Sequence, residues 1–254
     1  MKLKLNIQKE VRVVMALVLV AGLVAFADRN LSNGSVKDIV VRLDNIEENH
    51  FIDERDVLRM IESTPGHIRS ERIDNINFRE IENRLRTHRN FRQVELFNDF
   101  KGNMVVNVSL RRPMARLVQE NGPDAYLSEE GLVMSVSERY SSRVIIISGP
   151  YVGKMLLAQD LNKSEFGRQL TEMVRYIGED DFLRAQVAEL RVGDDGRITL
   201  YPQVSSQAVM FGKPERFDEK FLKLKVFYRK ILPQRGWNRY SRVNLEFDGQ
   251  VIAE

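Results

Sequence analysis

The sequence predicts an α+β protein in three parts: an amino-terminal apolar helix, a small strand–helix–helix–strand–strand unit, and a mostly antiparallel β region carrying two helices. Three observations predict this. Residues 13–27 are an unbroken run of uncharged apolar residues. Residues 36–112 pass from period-two alternation to helical spacing and back. From residue 114 onward, short apolar runs alternate with turn clusters rich in Gly, Asp and Asn. The chain has 254 residues, 43% of them hydrophobic and 30% charged, so it can bury a core; this excludes a disordered chain, a collagen and a multi-span transporter. Cysteine is absent, which excludes disulfides, thiolate metal sites and a cysteine nucleophile.

The net charge of +3 resides wholly in residues 1–12, where Lys2, Lys4, Lys9 and Arg12 face a single acid, Glu10. The rest of the chain balances to zero. Phosphate recognition needs clustered cations that release counterions, so no nucleic-acid partner is expected.

The basic stretch leads directly into the apolar run, and residues 1–10 therefore read as a cytoplasmic tail ahead of a membrane helix over 11–27. Val13, Leu17, Val20, Val24 and Phe26 mark the expected span. A buried core helix is disfavoured, because the run is apolar on every side. Its 15 residues rise only about 22 Å against a hydrocarbon core of about 30 Å. Ile7 and Val11 can lengthen it while Lys9 and Arg12 reach for the head groups. A cleaved signal peptide fits as well, since Ala25-Phe26-Ala27 is a small-x-small site. In both cases everything after Asp28 is exported.

Residues 28–35, with Leu31-Ser32-Asn33-Gly34-Ser35, read as a linker. In the block 36–112, Ile39, Val41 and Leu43 alternate with Val40 and Arg42 as a half-buried strand. Asp53 caps a helix with Asp56 in its first turn and Val57, Leu58 and Ile61 on its inner face, ending at Pro65-Gly66. Asn77 and Glu80 open a second helix, with Phe78, Ile81 and Leu85 at helical spacing. Val94 and Leu96 share a strand face; after the turn Lys101-Gly102-Asn103, Met104, Val106, Val108 and Leu110 alternate with Val105, Asn107 and Ser109. Arg111-Arg112-Pro113 breaks the ladder and sets the boundary with a second domain over 113–254.

In that second domain Ala115–Val118 and Leu132–Val136 read as strands, and Val144–Ile147 as a strand buried on both faces. A helix is expected from Ser164 to Ile177, its stripe being Phe166, Leu170, Met173, Val174 and Ile177. Leu190–Val192, the turn Gly193–Gly196 and Ile198–Leu200 form a hairpin, and Val209 and Phe211 mark a further strand. A second helix runs from about Glu215 to Leu232, with Phe217, Phe221, Leu224, Tyr228 and Ile231 on one face. Arg242–Phe247 closes the domain, Val243, Leu245 and Phe247 pointing one way and Asn244, Glu246 and Asp248 the other.

No catalytic constellation is visible. His50, His67 and His88 lack metal-ligand spacing, and no nucleophile elbow, zinc-protease, P-loop or dinucleotide motif occurs. Asp194-Asp195 is better explained as a hairpin turn than as a carboxylate pair, and Glu179-Asp180-Asp181 as a helix cap. No enzyme activity, metal or cofactor is expected. Trp237, the single tryptophan, serves either as an interface anchor or as a cover for the end of the last helix.

Several stretches, taken in order, resemble the FtsQ/DivIB family of bacterial division proteins. They are Asn45-Ile46 through Phe51-Ile52-Asp53 to Pro65-Gly66, Leu85 with Asn90–Val94, Arg111-Arg112-Pro113-Met114-Ala115, Tyr126–Gly131, Ile147-Ser148-Gly149 and Arg242–Val251. The resemblance implies an uncleaved anchor in the inner membrane, a POTRA domain over 36–112 and a periplasmic β domain at the division septum. It also implies a non-enzymatic role: the β domain binds FtsB–FtsL-type bitopic proteins and helps assemble the septal peptidoglycan synthesis complex, while the POTRA domain contacts other divisome components. The partner strand is expected on the closing strand, Arg242, Val243, Asn244, Leu245, Glu246 and Phe247, whose free backbone groups would complete a ladder. Glu246 and Phe247 stand where the family most often has Arg and Tyr, so the family's ion pair is not carried over.

Overall fold

The computed structural model describes residues 11–12, 14–23, 35–44, 50–63, 68–69 and 71–254. Residues 11–12 and 14–23 are helical, with Leu17 and Val20 exposed. Among the described residues no helix is long and apolar enough to cross a membrane. Val13, Val24 and Phe26 of the expected span lie outside the described residues.

The remainder divides into two compact units, one containing residues 53–109 with the segments before Asn45, the other residues 45–52 and 110–254. In the first unit, β1 (Ile39–Asp44), α1 (Glu54–Glu62), α2 (Phe78–Arg86), β2 (Phe91–Asn98) and β3 (Met104–Leu110) follow in order, and the sheet order is β1-β3-β2 with β1 parallel to β3. Local chemistry sets the helix starts. Asp53 and Asp56 form a reciprocal capping box, each carboxylate accepting the other's backbone N–H at 2.8 and 3.0 Å. Asn77 accepts from the Glu80 N–H at the start of α2. Val57, Ile61, Ile81 and Leu85 are buried as the periodicity requires, and Leu58 is half-buried. Val105, expected on the polar side of its strand, is buried as well, because β3 is the central strand.

The second unit is a nine-stranded mixed sheet. Its strands are β4 (Pro113–Leu117), β5 (Ala125–Ser128), β6 (Val133–Met134), β7 (Ile145–Ser148), β8 (Val187–Val192), β9 (Ile198–Pro202), β10 (Ala208–Gly212), β11 (Arg242–Asn244) and β12 (Ile252–Ala253), in the order β12-β11-β10-β9-β8-β7-β4-β5-β6. The pairs β4–β7, β7–β8 and β10–β11 are parallel and the other five antiparallel, so the sheet is mixed with the expected antiparallel majority. Parallel neighbours require a crossover. That requirement accounts for helices the sequence reading left out. Between β7 and β8 lie α3 (Val152–Ala158), α4 (Glu165–Glu179) and α5 (Asp181–Gln186). Between β10 and β11 lie α6 (Phe217–Val226), a π turn (Phe227–Ile231) and α7 (Leu232–Arg235). The expectation of two helices is thus corrected: α3 and α5 are seven and six residues long, too short to show a helical period.

The core of this unit joins one sheet face to α4 and α6 through Leu117, Ile147, Leu170, Val174, Leu190 and Phe221. Ile147 is fully buried, yet Ile146 is 38% exposed, so β7 is not covered on both faces as expected. The helices pack on the Ile147 side, and the alternating residue faces outward. The π turn corrects a second detail. It inserts an extra residue into the helical spacing, so the inward positions become Phe227, Tyr228 and Leu232, while Ile231 is 40% exposed.

Candidate interaction surface at the sheet rim

The closing segment forms differently from the expectation. Strand β11 covers only Arg242–Asn244, and both its sides are occupied: β10 pairs on one side in parallel and β12 on the other in antiparallel register, Val243 opposite Ala253 and Asn244 opposite Ile252. The expected open edge is therefore filled by the chain's own backbone over Arg242–Asn244. Gly249 (φ 68°) lies in the turn that brings residues 252–254 back.

Most of the expected contact residues are engaged within the fold. Val243 and Leu245 are fully buried in the core. The Leu245 N–H donates to the Met210 carbonyl, and the Glu246 N–H to Asn244 Oδ1, both at 2.9 Å. Lys223 Nζ donates to the carbonyls of Leu245 and Phe247 at 2.8 and 2.6 Å, which occupies one lone pair of each. Glu246 receives Arg197 Nη1 at 2.5 Å and lies over Gly212, where a Cβ would stand 2.7 Å from its Oε2. Glu246 is thus paired within the fold. Arg242 pairs its backbone with Glu254 in both directions, at 3.1 and 3.0 Å, and Phe247 is 47% exposed.

The Arg242–Glu254 exchange fixes the polarity of β12. Alternation in an antiparallel pair sends the N–H and C=O of Glu254 and Ile252 toward β11, and those of Ala253 away from it. The rim of the sheet is therefore Ala253 with its neighbours. Beside it, Ile252, Asn244 and Met210 sit side by side on the sheet's outer face, Ile252 and Met210 being 38% and 39% exposed. The opposite rim differs. On β6 both residues are buried, the Val133 N–H donates to the Gln159 carbonyl at 2.8 Å, and Leu132 bridges to Asp160.

Trp237 packs edge-on against Tyr228 at 6.0 Å, and its carbonyl accepts from the buried Gln207 Nε2, which fits the cover for a helix end. The turn reading of Asp194-Asp195 holds, since Asp195 Oδ1 accepts from the Arg197 N–H and Gly196 has φ 78°. Asp180 caps α5, as read; its carboxylate is held below the usual range by Lys225 Nζ above all, and also by the Leu183 N–H. A cleft of about 840 Å³ opens where β4, β7 and β8 begin, beside the end of α4, with Met114, Ile145 and Val187 among its apolar lining and Glu129, Arg175 and Arg184 among its polar residues. Arg175 donates to the Glu129 carbonyl and Arg184 to Asp181, so two of its cations are engaged. His88 accepts the Asn90 N–H on Nδ1 against the Phe91 ring, with burial lowering its pKa; His50 packs on Tyr140; His67 lies outside the described residues.

A POTRA-like domain model matches residues 35–109, the unit with the β1-β3-β2 sheet. No curated protein matches the chain. A family model described as FtsQ/DivIB, C-terminal related, matches residues 112–254, more than half the chain and the whole mixed sheet. The chain accordingly belongs to the FtsQ/DivIB family of bacterial cell division proteins.

Proposed function

We propose that this protein is a non-enzymatic scaffold of the division machinery, held in the inner membrane by residues 11–27 and exposing its two units to the periplasm at the septum. In this reading it binds FtsB–FtsL-type bitopic partners by strand addition and helps assemble the septal peptidoglycan synthesis complex. The POTRA-like unit serves other divisome components. The supporting observation is the rim at β12: an unpaired backbone edge flanked by exposed Ile252 and Met210, next to which an incoming strand gains ladder bonds and an apolar contact.

The rim can be tested without disturbing the fold. Proline at 253 removes the one N–H that points outward, leaves the bonds of Ile252 and Glu254 to β11 in place, and favours the extended conformation residue 252 already has. In co-purification and affinity measurements with an FtsB–FtsL-type ectodomain, Ala253→Pro should weaken binding about tenfold, equivalent to about 1.4 kcal/mol, with an unchanged melting temperature. Wild-type affinity in this variant would remove the rim from the interface. Leu245→Glu is unsuitable for this purpose, because it places a carboxylate in the core.

A further inference from the structure

We propose that the β2–β3 hairpin tip of the POTRA-like unit seats on the lipid bilayer, with Phe100 entering the head-group and acyl boundary and Lys37 and Lys101 meeting phospholipid phosphates. This rests on the anchored reading above and adds a second membrane contact to it. Phe100 is 95% exposed, the most exposed of the large hydrophobic side chains described, and Phe97 at the end of β2 is 43% exposed.

A network of hydrogen bonds holds the backbone of the tip. Asp99 accepts from the Lys101 N–H at 2.9 Å, the Asn103 N–H at 2.8 Å and Asn103 Nδ2 at 2.9 Å, and its N–H donates to the Asn103 carbonyl. Gly102 closes the turn with φ 87°. These bonds hold the Asp99 carboxylate below its usual pKa, chiefly through the Asn103 N–H, and direct it into the turn.

The tip also lies where the chain enters the unit from its apolar segment. The Lys37 N–H donates to the Gly102 carbonyl at 3.0 Å, the Met104 N–H donates to the Asp38 carbonyl at 2.9 Å, and the Lys37 stem runs alongside Gly102. Nine residues, 28–36, separate Lys37 from the end of the apolar run. Fully extended they reach no more than about 35 Å, so an anchored chain keeps this tip close to the bilayer. The acids nearby are engaged elsewhere: Asp38 accepts from the Ile39 N–H and faces Arg69 at 3.8 Å, and Asp99 is folded into its turn. Lys37 and Lys101 are exposed, and the Lys101 charge also contributes to lowering the pKa of the neighbouring Asp99. An aromatic ring flanked by long cationic side chains is the chemistry of an interfacial contact, the stems lying along the acyl boundary and the ammonium groups in the head-group layer.

The protein's single tryptophan makes the test direct. In a Trp237→Phe background of the full chain, Phe100→Trp and, separately, Val20→Trp are reconstituted into vesicles of phosphatidylethanolamine and phosphatidylglycerol with brominated acyl chains. The expected result is quenching and a blue shift of emission at both positions relative to unbrominated vesicles. Quenching at position 20 without quenching at 100 overturns the hairpin contact and leaves the anchor standing. Quenching at 100 alone upholds the contact and overturns the anchor. Emission unchanged at both positions overturns both.

Discussion

The two units each end their sheet-building with a strand next to a turn, and the two strands meet opposite fates. In the first unit β3 lies at the centre, between β1 and β2, seven residues long and buried at Met104, Val105, Val106, Val108 and Leu110. In the second, β12 is two residues long and lies at the rim. A central strand must satisfy both edges, so it needs length, and β3 is apolar except at the half-buried Asn107 and Ser109. A rim strand needs only enough residues to cover its neighbour, and its outer edge remains open to a partner. The comparison also explains why Arg242–Phe247 misleads: its alternation is that of a strand, but Val243 and Asn244 are already covered and Leu245 turns into the core.

The largest test of this contrast is Leu245→Ala. Removing a fully buried leucine should cost the second unit about 2–5 kcal/mol in chemical denaturation, and leave the hydrogen exchange of β3 in the first unit unchanged. Loss of protection in both units would mean that they do not behave separately. A smaller effect is expected at Gly212, whose φ of 76° and closeness to Glu246 disfavour any side chain. Gly212→Ala should cost about 1–2 kcal/mol, read as a lowered denaturation midpoint, and dislodge Glu246 from Arg197. In the first unit Asp53→Ala removes one half of the capping box and should cost about 1 kcal/mol, confined to α1 and its neighbours in exchange measurements.

The smallest effect depends on pH. The Asp180 carboxylate has a lower pKa folded than unfolded, so its contribution is complete above the unfolded value of about 3.9 and is lost as pH falls from there through the lowered folded value. Melting temperatures of the wild type and Asp180→Asn should therefore differ at neutral pH and converge under strongly acidic conditions. A constant difference across that window would assign the effect to the cap geometry instead of the charge.

Much of this was legible residue by residue. Asp53, Asn77 and Asp180 cap helices because short polar side chains before an apolar stripe satisfy free N–H groups, a relation spanning three or four residues. The β8–β9 hairpin and its Gly193–Gly196 turn are local in the same way. The helix α3 was not legible, and of α5 only the cap was, since neither completes two turns' worth of pattern. The shift from Ile231 to Leu232 was hidden too, because a π turn alters the period without changing the composition. The outermost strand of the sheet lies about ten residues beyond the one the alternation pointed to. Its only local signal is the Asp248-Gly249 turn, which marks a chain reversal and with it a further strand outside the first.

By itself, then, the sequence determined the kinds of element, their caps and turns, and the division into a small α+β unit and a larger sheet, since all of these follow from interactions between residues a few positions apart. The tertiary structure alone decided which strand stands at the edge, which strands run parallel and what neutralises Glu246. Those outcomes depend on pairings between segments up to tens of residues apart, such as Met210 with Asn244 or Arg197 with Glu246, and no local pattern of side chains encodes the partner a strand will find.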